Sequence, residues 1–215
     1  MITSVPRSAA RRARLLARAA LLALTAGVLG AHAATLSLTV RDADGNPLAD
    51  AVALLDPASG TVTMQPMLGV EISQARKQFQ PRVTVITVGT PVAFPNFDTV
   101  RHHVYSFSPI KPFEIKLYAG VPGVPVRFDK PGVAVLGCNI HDRMAAWVVV
   151  SSTPWFARSD ATGQARIDKL PPGNYRLRLW HPGLGPDTEP TTQAITVAGA
   201  DLDRALTLPI RASEP

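Results

Sequence analysis

The chain has 215 residues, 46% of them hydrophobic and 18% charged, with a formal net charge of +6. One cysteine rules out an intramolecular disulfide, and without a Cys-x2-Cys-His string covalent c-type haem is excluded too. The charge makes no case for a nucleic-acid partner: five arginines and no acid fall in residues 1–33, and residues 34–215 carry 17 basic against 16 acidic side chains.

In chain order, the first predicted element is a leader. Arg7, Arg11, Arg12, Arg14 and Arg18 accompany an apolar run from Ala19 to Gly30, and Ala31-His32-Ala33 has the small-residue spacing of a cleavage site. Charge, length and exit site predict a secretory signal over residues 1–33, removed before Ala34. A membrane anchor is the alternative, but an apolar run of roughly 12 residues is short for a span. Arg11-Arg12 invites a twin-arginine reading, yet Arg14 stands where that signal wants a bulky apolar residue, which favours the general secretion route. The expected location is periplasmic, with no membrane contact after cleavage.

Beyond the leader the chain reads as β throughout. Short alternating or β-branched runs predict strands at Leu36–Val40, Ala51–Leu55, Val83–Val88, Val92–Phe94, Val104–Phe107, Phe113–Leu117 and Val124–Phe128. They continue at Val133–Leu136, Trp147–Val150, Arg166–Ile167, Tyr175–Trp180, Ala194–Val197 and Ala205–Leu208. Turn residues punctuate them, as in Asp44-Gly45-Asn46-Pro47, Lys130-Pro131-Gly132 and Pro171-Pro172-Gly173-Asn174. One turn of helix near Ile72–Lys77 is the only helical expectation past the leader. The fold class predicted is all-β, built of sandwiches.

Cys138-Asn139-Ile140-His141-Asp142-Arg143-Met144 gathers thiol, imidazole and thioether into seven residues of a chain with only five histidines and four methionines. These donor types select copper, and one more histidine completes a type 1 set. Arg101-His102-His103-Val104 offers two. A lone cysteine in an oxidising compartment is also better explained by metal ligation or deep burial than as a free thiol. The plain alternative is a buried cysteine acting as a small hydrophobe, with His141 and Met144 on a surface loop. A dinuclear copper centre of the two-cysteine kind is excluded. His181 reads as a loop residue, with an accessory copper or interface role as the alternative; Met64 and Met67 read as linker or edge packing in preference to a Cu(I) site.

Several segments around these donors fall in a familiar order. Val70-Glu71-Ile72 and Phe79-Gln80-Pro81 lead to a run from Val83 to Phe94; Phe94-Pro95-Asn96 is followed by five residues and His102; Val126 to Gly132 leads to the cysteine, and Trp147–Val150 closes the set. This segment resembles the cupredoxins, and its Cys-x2-His-x2-Met loop is nearer amicyanin than plastocyanin. The resemblance implies a Greek-key sandwich holding one type 1 copper through His102, Cys138, His141 and a long axial Met144. The Asn96 spacing selects His102; strand alternation then sends His103 to the other face, as a bracing or solvent-facing residue, with His103 as the ligand the alternative. The chain departs from the family at His103, where asparagine is common, at Gly137, where an aromatic often precedes the cysteine, and at Asp142, where an apolar rim residue is frequent.

The flanks carry a second resemblance. Leu36 to Val52, with its Asp42-Ala43-Asp44-Gly45-Asn46-Pro47 turn, resembles the opening of a prealbumin-like or carboxypeptidase-regulatory-like sandwich. Ser159 to Ile167 and Leu170 to Leu177 resemble its continuation. The expected organisation is residues 34–65 as the first part of that sandwich, 66–153 as the cupredoxin segment, and 154–215 as the remainder. The alternative assigns Leu36–Leu55 to the sheet of the middle segment.

The expected function is a periplasmic blue copper protein that carries single electrons between redox partner proteins, and not an enzyme. The rival is a copper chaperone or storage protein, which uses the same ligands. A third reading is a purely structural sandwich that has lost its metal.

Overall fold

The structure is a computed structural model and describes residues 33–185, 188 and 190–211; the predicted leader, Ala33 apart, lies outside the described residues. Among the described residues the chain forms only strands. In order these are β1 (Ala34–Arg41), β2 (Val52–Pro57), β3 (Val70–Glu71), β4 (Ser73–Ala75), β5 (Gln78–Gln80) and β6 (Val83–Thr87). Then come β7 (Thr90–Ala93), β8 (His102–Ser106), β9 (Phe113–Tyr118), β10 (Val126–Phe128), β11 (Gly132–Gly137) and β12 (Ala145–Ser151). The last are β13 (Phe156–Arg158), β14 (Gln164–Leu170), β15 (Gly173–Trp180), β16 (Thr191–Val197) and β17 (Leu202–Thr207).

Alternation decides which faces meet. In β1, Leu36, Leu38 and Val40 point inward while Ser37, Thr39 and Arg41 reach the surface. Tyr175, Leu177 and Leu179 do the same in β15. The sheet β14-β1-β17 therefore faces the sheet β13-β2-β15-β16 across one apolar core. β1 runs parallel to β17 and antiparallel to β14. Ala34 pairs Leu170 but Leu36 pairs Ile167, so β14 carries one extra residue, and Lys169 takes up the bulge at φ 57. The turn after β1 is built by Asp42, whose carboxylate accepts from the amides of Asp44 and Asn46 at 3.0 and 2.8 Å.

The chain leaves this sandwich after β2 and returns to it with β13. Between them, β6-β12-β11-β8-β9 and β10-β7-β3 enclose a second core that includes Ile72, Phe94, Phe128 and Leu136. β2 explains its own unbroken apolar run, because both of its faces are buried. Ala53 and Leu55 enter the first core, while Val52 and Leu54 meet Val83 and Val149 of the second sandwich. Arg158 adds a hydrogen bond to the carbonyl of Val83 at 3.1 Å. β1 and β2 form ladders only with β13, β14, β15 and β17, so Leu36–Leu55 is outside the middle sheets.

The helical turn expected near Ile72–Lys77 is not there. That stretch is the hairpin β4–β5, with Ala75 paired to Gln78 around a two-residue turn at Arg76 and Lys77. Both turn residues adopt the left-handed conformation, φ 56 and 57. Such turns favour asparagine and glycine, so the residues gave no turn signal. The short edge strand β13 was not anticipated either; it pairs with β2 over Phe156–Arg158.

Candidate metal centre

Three neighbouring features of the second sandwich converge. β8 starts at His102, β11 ends at Gly137, and the loop between β11 and β12 carries the remaining donors. β8 and β11 are antiparallel, with Gly137 opposite Tyr105, so Cys138 and the start of β8 lie at the same end of the sheet. The loop is closed on itself: the Cys138 amide donates to the Met144 carbonyl at 3.3 Å and the Met144 amide to the His141 carbonyl at 3.0 Å.

Cys138 Sγ lies 3.9 Å from His102 Nδ1 and 3.8 Å from His141 Nδ1. The three donor atoms are all within 4.8 Å of one another. A first-row ion bonded to sulfur at about 2.3 Å and to nitrogen at about 2.0–2.1 Å, in a trigonal plane, sets S and N about 3.8 Å apart. The donor set and its spacing thus fit a mononuclear soft-metal site. Met144 is buried in the same apolar cluster as Cys138. His102 and Cys138 are buried and His141 is half-buried, so the site meets solvent at one imidazole.

The hydrogen bonds around His102 fix its chemistry. Its Nε2 lies 2.7 Å from Asp98 Oδ2. An ionised carboxylate only accepts, so Nε2 carries the proton and Nδ1 turns a lone pair toward Cys138. Asp98 is itself held by the amides of Arg76 and Lys77, at 2.7 and 2.9 Å. Burial pushes its carboxyl up, but the Lys77 amide, the His102 ring and the Arg76 amide together outweigh that and hold it below the ordinary carboxylate value. Asn96 shapes the loop that delivers His102. Its side-chain amide donates to the carbonyls of Val100 and Tyr118 at 2.9 and 3.0 Å, and its Oδ1 accepts from the Asp98 amide at 2.9 Å. Behind the loop, the Tyr118 hydroxyl donates to the Phe94 carbonyl at 2.7 Å and accepts from Gln74 Nε2 at 2.6 Å. Burial pushes Tyr118 up to about 12, so the phenol stays protonated.

The other candidates fall elsewhere. His103 is buried on the opposite face of β8, with Nε2 2.9 Å from Glu114 Oε1 and Nδ1 without a partner among the described residues. His181 donates from Nε2 to the Ala49 carbonyl at 3.0 Å and accepts the Gly183 amide on Nδ1 at 2.9 Å. Both its nitrogens are thus committed to backbone. Met67 packs at the edge of the second core, and Asp142 is exposed. Gly137 has a local reason: a Cβ there would come 2.6 Å from Cζ of Tyr105. The aromatic beside the cysteine comes from the next strand, stacked with His103 and Phe107 at ring separations of 5.4 and 5.0 Å. Sequence reasoning missed Asp98, Tyr105 and the Gln74–Tyr118 pair. Only Asp98 left a trace, as an acid four residues before a candidate histidine ligand.

No protein-family model matches the chain, and comparison with curated proteins gives no match. Among solved structures, the chain is similar to a copper-containing nitrite reductase from Thermus scotoductus, at 26% identity over 44% of this chain and TM-score 0.37; it spans a quarter of that enzyme's length, 25%. It is similar to a purple cupredoxin from Nitrosopumilus maritimus, at 23% identity over 38% of this chain and 99% of the other, TM-score 0.34. A reduced Cu(I) form of an amicyanin variant gives 16% identity over 45% of this chain and 97% of the other, TM-score 0.36. The similarities are partial, with TM-scores below 0.5, and the functional reading stands on the donor atoms of the chain itself.

Proposed function

We propose that this chain is a periplasmic type 1 copper protein of cupredoxin kind that carries single electrons between redox partner proteins. The observation that carries this reading is the Cys138 sulfur set 3.8–3.9 Å from two imidazole nitrogens, one with its tautomer fixed by Asp98. Copper bound there supplies a Cu(I)/Cu(II) couple. The residues around it supply the rest. Cys138, His102 and His141 would hold the ion, Met144 would offer a weak thioether donor beside them, and Asp98 keeps the His102 ring oriented with Nδ1 toward Cys138. The half-buried His141 is the exit toward a partner, and the exposed side chain of Ile140 flanks it. The periplasmic assignment is supported by the arginine-rich, apolar N-terminal sequence and by the lone buried cysteine.

The copper-loaded mature protein is expected to bind one ion, to show an intense visible thiolate band, and to bleach on reduction. A colourless protein without copper affinity overturns the reading. Met144 separates a carrier from a chaperone. Met144→Leu is expected to keep colour with a raised potential and Met144→Gln to lower it, because an oxygen donor favours Cu(II). Voltammetry with a Cu(I) competition assay decides: unchanged potentials with lost Cu(I) retention would identify a delivery protein.

A further inference from the structure

The β4–β5 turn is built against the preferences of its residues. Arg76 and Lys77 both sit at positive φ, where asparagine or glycine is accommodated with less strain. Asp98 compensates by accepting both of their amides. The backbone is therefore pinned from below while the two cationic side chains are exposed. Neither makes an ion pair or a side-chain hydrogen bond among the described residues. Strain held in place by surrounding structure, at residues whose exposed side chains have no polar partner among the described residues, points to a role outside the molecule.

Two further observations indicate the partner. Phe97 donates its amide to the Gln74 carbonyl of β4 at 2.8 Å and leaves its ring 69% exposed beside the hairpin. Arg101, next to His102, and Arg143, between His141 and Met144, are exposed and likewise unpaired among the described residues. An exposed aromatic beside two unpaired cations fits a protein surface rich in carboxylates, which charge steers and the ring anchors.

We propose that the Arg76–Lys77 turn, with Phe97 beside it, is a docking contact for an acidic partner protein, and that Asp98 ties this contact to His102. One carboxylate oxygen, Oδ2, meets both the Lys77 amide and the His102 ring. Displacement of the turn by a bound partner is therefore felt at the metal-facing imidazole. Only the description of the partner as a redox protein rests on the proposed copper function; the contact itself is a property of the metal-free chain.

The test uses the metal-free mature chain and a hexaglutamate peptide as probe, followed by NMR at low ionic strength. The Arg76 and Lys77 amides and the His102 Nε2–H resonance are expected to shift together, and binding to weaken with salt. R76Q/K77Q is expected to lose tenfold or more in affinity. D98N replaces one accepting oxygen with an NH2 group, so it is expected to loosen the turn, to weaken peptide binding there, and to leave the His102 resonance unmoved by whatever binding remains. Shifts confined to basic residues elsewhere, such as Arg127 or Arg204, overturn the proposal. So does a silent His102 in the wild-type chain, or binding to anionic phospholipid vesicles without binding to the peptide. A colourless copper-loaded protein would refute the copper reading and leave these outcomes untouched.

Discussion

At the scale of single residues, two positions make measurable claims. Gly137 is small because Tyr105 occupies the space where its side chain would be. Gly137→Ala is expected to displace the Tyr105 ring from between His103 and Phe107, at about 1–3 kcal/mol. In a Tyr105→Ala background the same change should cost almost nothing, which a double-mutant cycle by urea unfolding measures. His181 makes a claim about pH. Burial lowers its pKa, assisted by Arg82 and opposed by the Ala49 carbonyl and Asp50, so the folded form favours the neutral ring. As pH falls below the unfolded value of about 6.5, the unfolded chain takes up the proton first and stability drops until the lower folded pKa is passed. Above that window its contribution is complete. The stability advantage of the wild type over His181→Asn is thus expected to shrink between about pH 7.5 and pH 5, as urea midpoints will show. The cysteine loop was legible in sequence because its donors are close together in the chain. Tyr105 was not, since it acts through a fold-dependent meeting with Gly137, and Asp98 left only its place four residues before His102, with nothing local to announce the Arg76 and Lys77 amides it also holds.

At the scale of elements, β2 is the strand on which both sandwiches depend. Leu55 faces one core and Leu54 the other sandwich. Leu54→Ala is expected to cost about 2–4 kcal/mol and to leave metal affinity unchanged, because no donor touches that cluster. Leu136→Ala, buried in the second core one residue from Gly137, is expected to lower both thermal stability and metal affinity. A chelator competition run beside thermal melts distinguishes the two. Strands such as β1 and β15 could be read from alternation alone, since each has one face buried and one in water. The β4–β5 hairpin could not: its turn is stabilised by a carboxylate from 21 and 22 residues away, and its own residues suggest a helical turn instead.

At the scale of the whole molecule, the second sandwich is continuous in sequence and the first is not. Removing β17 by ending the chain near residue 198 takes one neighbour from β1 and exposes the first core. The truncated protein is expected to melt in two steps, the first sandwich early and the visible band of the loaded site late, when circular dichroism and absorbance are followed together.

That parallel pairing of β1 with β17 also sets a timetable. β1, the first strand described, lies between β14 and β17, the last, and neither neighbour exists until the whole of the second sandwich has been made. Until then Leu36, Leu38 and Val40 stand on a strand with two open edges, the arrangement most prone to pair with the wrong chain. The strands from β3 to β12 pair only with one another and have no such wait. One short apolar segment must therefore wait while the strands that carry the candidate metal donors are already complete, and the pairing left for last is the parallel closure of β17 onto β1.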